Sequence, residues 1–259
     1  MKTNYHTHTK RCNHAIGTDR EYVEAAIQAG IKKLGFSDHV PVRTGLYEID
    51  WFRIAPENTA EYFESIRSLK EEYKNDIEIL IGFEAEYFPS LFNNMIDLLS
   101  DNGCDYIILG QHFLEIKPGE EYVDPRNEYK GANTIDHYVK TLIEGMETGL
   151  YSAVAHPDAL HKNYDPDLLK DAYRKICEAA KRHSLPVEFN RLGLSTGRDY
   201  PDVTFFEIAA EVGNDVVIGY DAHSPADLLD DEGYEFCRST IKELGINLLE
   251  DVKLIKPVI

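Results

Sequence analysis

Two histidines, His6 and His8, lie one residue apart at the end of a short β-type run near the start of the chain. Side chains on an extended strand alternate with a period of two, so both rings share one face and can grip the same ion. The same spacing recurs in Asp221-Ala222-His223. Four further β-type runs end on residues of the same chemistry: Ser37-Asp38-His39, Gly82-Phe83-Glu84, Gln111-His112 and His156. A single histidine at a strand end is more often a hydrogen-bonded structural residue than a ligand. Six strand ends behaving alike point instead to one shared metal site. Neutral imidazole together with carboxylate suits zinc, iron or manganese. Glu86 follows Glu84 by two residues and offers the same donor; Glu84 is favoured because it directly follows the apolar run. Cys12 lies between His8 and His14, where a thiolate ligand and a small buried apolar residue are both open readings, the second being safer. His137 and His183 fall in helices and are expected to face solvent. His161 is expected in a loop near the site.

These residues need a scaffold that brings positions 6 to 223 to one place. Seven β-type segments stand out: Thr3–Thr7, Lys33–Ser37, Ile77–Glu84, Tyr106–Gly110, Ser152–Ala155, Pro186–Asn190 and Val216–Gly219. Most are nearly all apolar, as strands covered on both faces must be. Seven segments of helical spacing alternate with them: Asp19–Ala29, Asn58–Lys74, Leu91–Ser100, Ile135–Thr148, Pro166–His183, Thr204–Val212 and Ala226–Leu244. Thr18, Asn58, Ser90, Thr134 and Asp165 are expected to cap them. This alternation predicts a parallel α/β barrel or doubly wound sheet. In either, the C-terminal strand ends form one face, where active sites are found. No linker or repeat divides the chain, so residues 1–259 are expected to form one domain. Val40–Glu57 and Phe113–Asn133 are long irregular stretches, which in compact domains are often functional.

The formal net charge of −19 disfavours nucleic acid and anionic membranes as partners. It excludes an anionic substrate only at long range, because bound cations reverse the local sign. Four cysteines without a Cys-x-x-Cys pair, no apolar signal core and no long apolar run predict a cytoplasmic protein with reduced thiols. The oligomeric state is not legible.

The set Tyr5-His6-Thr7-His8, Cys12-Asn13-His14-Ala15, Ser37-Asp38-His39, Gly82-Phe83-Glu84, Gly110-Gln111-His112-Phe113, Ala155-His156-Pro157 and Asp221-Ala222-His223 resembles the polymerase and histidinol phosphatase (PHP) superfamily. The resemblance spans residues 5 to 223. It implies a distorted (β/α)7 TIM-like barrel in one domain, and three divalent ions (zinc, manganese or iron). His6, His8, Glu84 and Asp221 would hold the first ion. Glu84, bridging, would hold the second with His112 and His156. His14, His39 and His223 would hold the third. Within the superfamily the pattern is similar to the stand-alone histidinol-phosphatase branch. That implies a small-molecule phosphomonoester substrate, L-histidinol phosphate, attacked by a metal-bridging hydroxide. Glu84, Asp221 and His223 would serve the catalytic centre. Other phosphoesterases on the same scaffold (nucleotide phosphatase, phosphodiesterase, protein-tyrosine phosphatase) share these motifs, and a non-catalytic metal-binding domain is a further alternative.

Arginine offers a two-pronged donor for phosphate. Arg191, closing the sixth β-type run, and Arg198 in the loop after it are the expected contacts, with Arg43 a weaker one. Phe113, Glu115 and Tyr122 are candidates for the imidazole and ammonium ends of the substrate. Asp38 and Asp158 are expected to orient the ligand histidines beside them.

Overall fold

The computed structural model describes residues 2–117, 121–126 and 132–258. In chain order the strands are β1 (Thr3–Asn4), β2 (Lys33–His39), β3 (Glu78–Ala85), β4 (Tyr106–Leu109), β5 (Leu114–Lys117), β6 (Glu121–Val123), β7 (Ala153–Val154), β8 (Val187–Asn190), β9 (Asp215–Gly219) and β10 (Asn247–Leu248). The helices are α1 (Asp19–Gln28), α2 (Tyr47–Asp50), α3 (Thr59–Glu72), α4 (Phe92–Asp101), α5 (Ala132–Glu147), α6 (Pro166–Arg182), α7 (Arg191–Thr196), α8 (Val203–Val212) and α9 (Asp231–Glu243).

Eight strands form one parallel sheet in the order β1-β2-β3-β4-β7-β8-β9-β10. The sheet curls into a distorted TIM-like barrel. Beyond β1 the chain continues as a seam: the amide of Ser37 donates to Thr7 (2.8 Å) on one side, while His8 donates to Ala222 (2.9 Å) on the other. An isolated Thr7–Ala222 bridge thus joins the first strand to the segment after β9. Tyr5, Leu80, Tyr106, Ile108, Ala153, Ala155 and Val217 fill the barrel interior together with Val252 from the C-terminal tail. That tail covers the N-terminal ends of the strands, where Val252 donates to the Tyr5 hydroxyl (3.2 Å) and Ile255 to Ser152 Oγ (2.8 Å). The larger core packs helices onto the outer face of the sheet, for example Tyr62 and Phe63 of α3 on Phe83.

All seven expected strands are present, the first as β1 plus the bridge at Thr7. The two-residue β10 and the antiparallel β5–β6 hairpin were not expected. They are too short to leave a periodic signal. The hairpin and α2 occupy the two long irregular stretches, although residues 118–120 and 127–131 lie outside the described ones. The expected helix Ala226–Leu244 is split into a 3-10 turn (Pro225–Leu229) and α9, because Asp230 turns its carboxylate to cap the amide of Gly233. Thr18 and Asp165 cap their helices as expected. Asn58 makes no side-chain cap bond, Thr134 lies inside α5, and Ser90 donates to Glu115 rather than capping α4.

Candidate metal centre

Parallel register sets the centre. His39 of β2 pairs with Glu84 of β3, and the C-terminal ends of β4, β7 and β9 deliver His112, His156, Asp221 and His223 to the same mouth. Glu84 is the hub. Its Oε1 lies 2.8 Å from His156 Nε2 and 3.2 Å from His112 Nε2; its Oε2 lies 3.1 Å from His39 Nδ1, 3.5 Å from His6 Nε2 and 3.6 Å from His8 Nε2. Asp221 Oδ1 stands 3.1 Å from His8 Nε2 and 3.5 Å from His6 Nε2. His14 and His223 meet at the outer edge, Nε2 to Nε2, at 3.0 Å.

The surroundings orient these rings. Glu188, inside the barrel, lies 2.7 Å from His6 Nδ1 and accepts from the amide of His156 (3.0 Å) and from Asn190 Nδ2 (3.0 Å). A carboxylate so placed fixes the proton on Nδ1 and leaves Nε2 as a lone pair toward the centre. Asp38 faces His8 Nδ1 at 3.5 Å, too far for a full hydrogen bond, rather than the adjacent His39 ring, and it accepts from the amide of Thr9 (3.1 Å). Asp158, expected beside His156, accepts instead from the amide of Asp202 (2.6 Å). Two close approaches need glycine: a Cβ on Gly110 would sit 2.0 Å from Glu84 Oε1, and one on Gly219 1.6 Å from Glu188 Oε1. His156 and Asp221 adopt positive φ angles of 28° and 49°, which non-glycine residues hold only under local constraint.

Charge is divided within the centre. Burial works against ionisation of Glu84, yet His112, His6 and His39 outweigh it and hold the carboxyl well below its usual range. Asp221 behaves alike through His6 and His8. His6 and His8 are raised well above the ordinary imidazole range, the neighbouring carboxylates overcoming burial. Burial and the nearby His8 push His39 and His14 down, and His223 to about 3. His14, His39 and His223 are therefore a neutral set with free lone pairs, the form in which imidazole binds metals.

Several buried donor atoms aimed inward have no hydrogen-bond partner, among them His6 Nε2, His39 Nδ1 and Glu84 Oε2. Leaving such groups unmade costs about 1–3 kcal/mol each. Divalent cations fit this donor set. Ligand atoms of His6, His8 and Asp221, of His6, Glu84 and His156, and of His8, His39 and His223 each cluster within 4.8 Å. His39 thus stands between the groups, nearer Glu84 and His8 than a strict partition with His14 and His223 implies.

Above the histidines opens a cleft of about 350 Å3, walled by Trp51, Phe52 and Phe113 and by Glu48, Asp124, Arg126 and Arg198. Phe52 stacks on Phe113 at 5.7 Å and meets the His39 ring edge-on at 4.8 Å. Arg126 and Arg198 also line a neighbouring cavity of about 520 Å3, which includes His161. A larger groove of about 1050 Å3 runs along α9 and is lined by none of these histidines. Among the expected substrate contacts, Phe113 and Arg198 reach the cleft. Arg191 does not: α7 begins at this residue and turns it outward, so its guanidinium binds Asp230 (Nε 2.8 Å) and lies over Tyr220. Glu115 is buried against Ser90, and Tyr122 packs on Phe88; neither lines the cleft. Arg43 pairs with Glu57 on the surface. His137 and His183 are half-buried rather than solvent-facing. All four cysteines are buried and free, Cys12 beside His8. Trp51, Phe52, Asp124, Arg126 and Glu188 were not singled out from sequence. Only Glu188 left a signal, as a carboxylate inside an otherwise apolar strand.

The PHP domain family profile matches residues 4–192. A Deinococcus radiodurans protein named "Probable histidinol-phosphatase" is 31% identical over 247 residues, covering 92% of this chain and 91% of that protein. The Bacillus subtilis protein named "Histidinol-phosphatase" is 23% identical, over 88% of this chain and 96% of its own. Among solved structures, histidinol phosphate phosphatase of Lactococcus lactis, complexed with zinc, L-histidinol and phosphate, superposes with a TM-score of 0.72 at 19% identity, over 99% of this chain and 97% of that one. The hisK product of Listeria monocytogenes gives 0.76 at 22%, over 91% and 99%. These superpositions speak for the shared fold, and the profile match and the Deinococcus relative establish descent: the chain belongs to the PHP domain family.

Proposed function

We propose that this protein is a metal-dependent phosphomonoesterase that hydrolyses L-histidinol phosphate to L-histidinol and phosphate. The observation that carries the metal-dependent chemistry is the convergence of five imidazole nitrogens on the two oxygens of Glu84, all within 3.6 Å, with buried polar atoms that have no hydrogen-bond partner among them. The substrate assignment is supported by the names of the Deinococcus and Bacillus relatives. In this reading residues 1–259 form one cytoplasmic domain acting on a small molecule, with no nucleic acid partner.

His6, His8, Glu84 and Asp221 would hold one ion, Glu84 with His112 and His156 a second, and His14, His39 and His223 a third. Bound divalent ions supply Lewis acidity toward phosphoryl oxygen and acidify the attacking water. Glu84 links the groups by offering Oε1 to His112 and His156 and Oε2 to His6, His8 and His39. Asp221 adds the second negative charge and braces His6 and His8, and its backbone carbonyl orients His223 (2.9 Å). Arg198 offers planar donors to the phosphoryl oxygens on the open side of the cleft, while Arg126 beside it, its Nε and Nη2 held by Asp124 (2.9 and 2.8 Å), keeps Nη1 for them. Phe52 and Phe113 keep bulk water from the His39 and His112 side, so charge interactions in the cleft are less screened. Trp51 and Glu48 on the same wall offer an aromatic face and a carboxylate to a cationic imidazole-bearing alcohol.

The test is phosphate release from L-histidinol phosphate, sugar phosphates, nucleotides, a phosphotyrosine peptide and a dinucleotide, each with manganese, zinc or iron added. Histidinol phosphate should give the highest kcat/KM. Turnover no faster than that of a generic aryl phosphate would remove the substrate assignment. No cleavage of any phosphoester in any metal would remove the enzyme assignment.

A further inference from the structure

Glu86 offers the same carboxylate as Glu84 two residues further on, yet it stands behind the metal centre. It is buried, and both its oxygens are taken by Arg53: Nη1 to Oε2 at 2.6 Å and Nη2 to Oε1 at 2.7 Å. Arg53 is itself only 1% exposed and is the largest fully buried side chain among the described residues. The remaining approach to Glu86 is from His112, whose Nδ1 lies 3.4 Å from Glu86 Oε1 while its Nε2 faces Glu84 at 3.2 Å. Arg53 belongs to the segment between β2 and α3. Its Nε donates to Ile49 (3.1 Å), and its guanidinium lies over the Phe52 ring at 4.7 Å. Phe52 in turn packs on His39 and Phe113.

We infer that Arg53 and Glu86 are a positioning pair that holds His112 in its metal-binding orientation and ties the aromatic wall of the cleft to the metal centre. The inference rests on the metal centre proposed above, not on the identity of the substrate. An isolated buried pair is weak evidence for stability, since apolar residues of similar volume often replace one without loss. A different use explains the arrangement better. A bidentate guanidinium fixes the plane of the Glu86 carboxylate. The carboxylate, so fixed, stands 3.4 Å from His112 Nδ1, short of a full hydrogen bond, and its charge draws the ring proton to that side, which turns the Nε2 lone pair toward the ion. Arg53 also keeps Glu86 from swinging into the centre as a competing ligand. Because Arg53 adjoins Phe52, the wall of the cleft and the orientation of His112 are set by one guanidinium.

The experiment compares wild type with three variants: Glu86→Gln, Arg53→Lys and the charge-free double variant Arg53→Met/Glu86→Gln. The double variant removes both charges together and so avoids stranding one of them in the core. Cobalt(II) serves as the probe, followed by its visible spectrum and by competition with a chelator. The double variant should keep its circular dichroism spectrum, bind its weakest cobalt ion 10–100-fold less tightly, and show an altered d–d band. Arg53→Lys keeps the charge and loses the fork, so it should lie between wild type and the double variant. Turnover of an aryl phosphate should fall at limiting cobalt and recover as cobalt is raised, which a purely structural defect would not do. Wild-type cobalt affinity and spectrum in a folded double variant, or in Arg53→Lys if the double variant does not fold, would reduce the pair to a structural one. The cobalt titration needs no substrate, so it stands apart from the test of histidinol phosphate.

Discussion

The Nε2 atoms of His14 and His223 face each other at 3.0 Å, and neither ring has a proton to place between them. Each Nδ1 points at a backbone carbonyl, that of Cys12 at 2.7 Å and that of Asp221 at 2.9 Å, and so carries the ring's hydrogen. Two confronted lone pairs repel unless a cation separates them. Burial and the neighbouring His8 hold His223 to about 3 and also depress His14, which disfavours a proton between the rings and favours a metal ion there. Stripping the metal with a chelator should therefore lower the thermal midpoint, and restoring it should recover the midpoint. Metal at 100 times its Kd contributes about 2.7 kcal/mol. A midpoint indifferent to chelator in a scanning calorimeter would contradict this.

The divided charge of the centre predicts two kinds of metal binding. His6 and His8 have raised values, so in the metal-free protein they hold protons near neutral pH that an entering ion must displace. Affinity on that side should rise with pH through the neutral range. His14 and His223 are lowered, so binding between them should release fewer protons and depend less on pH than binding at His6 and His8. Zinc titration calorimetry in two buffers of different ionisation heat, at pH 6, 7 and 8, separates the steps by their proton release. Equal release in every step would refute the division.

Glu188→Gln should weaken metal binding by about 10–100-fold, because it removes the carboxylate that holds the His6 Nδ1 proton while nearly preserving volume. Equilibrium dialysis with zinc measures this directly, and an unchanged affinity would show that His6 needs no such partner.

Gly110→Ala should expel Glu84 from its place, since the new Cβ would lie 2.0 Å from Oε1. Overpacking of this kind costs about 1–3 kcal/mol, so the variant should still fold. It should lose metal and activity out of proportion to its change in midpoint. Full metal content by elemental analysis would show that Glu84 moves aside without consequence.

The two arginines flanking α7 should behave differently. Arg198→Ala should lower kcat/KM by about 10–1000-fold, or roughly 1.4–4 kcal/mol. Arg191→Ala should leave KM unchanged and lower stability, because Arg191 braces Asp230 at the start of α9. Burial opposes ionisation of Asp230, but the Gly233 amide and Arg191 outweigh it and depress its value. A depressed carboxyl stabilises the fold above its ordinary value of 3.8 and loses that contribution as pH falls through the folded value. The stability gap between wild type and Arg191→Ala should therefore narrow below about pH 4. A KM effect at Arg191 would overturn the assignment.

What was readable in the sequence follows from periodicity. His6, His8, Glu84 and Asp221 could be placed together because strand alternation and a parallel sheet map local spacing onto one common mouth. Arg191 could not be placed, because whether the chain leaves β8 as strand or helix depends on Asn190 capping Gly193 (2.8 Å), a one-residue decision that reverses the side chain's direction. Arg126, Trp51 and Phe52 come from segments without repeat, brought over the centre by contacts distant in sequence. Glu84 could be preferred to Glu86 from its place directly after the apolar run, but the use of Glu86 could not be read, because its partner lies 33 residues earlier in the chain.

The seam of the barrel falls where the chemistry is. Residues 6–8 and 221–223 meet through the single Thr7–Ala222 bridge, and the side chains on either side of it belong to the centre. An ion gripped by both edges would work as a clasp: loading the centre would fasten the cylinder, and emptying it would free the first strand to breathe away from the ninth. Hydrogen exchange at the amides of His8 and Ala222 should therefore report metal occupancy more sharply than any amide on the far wall.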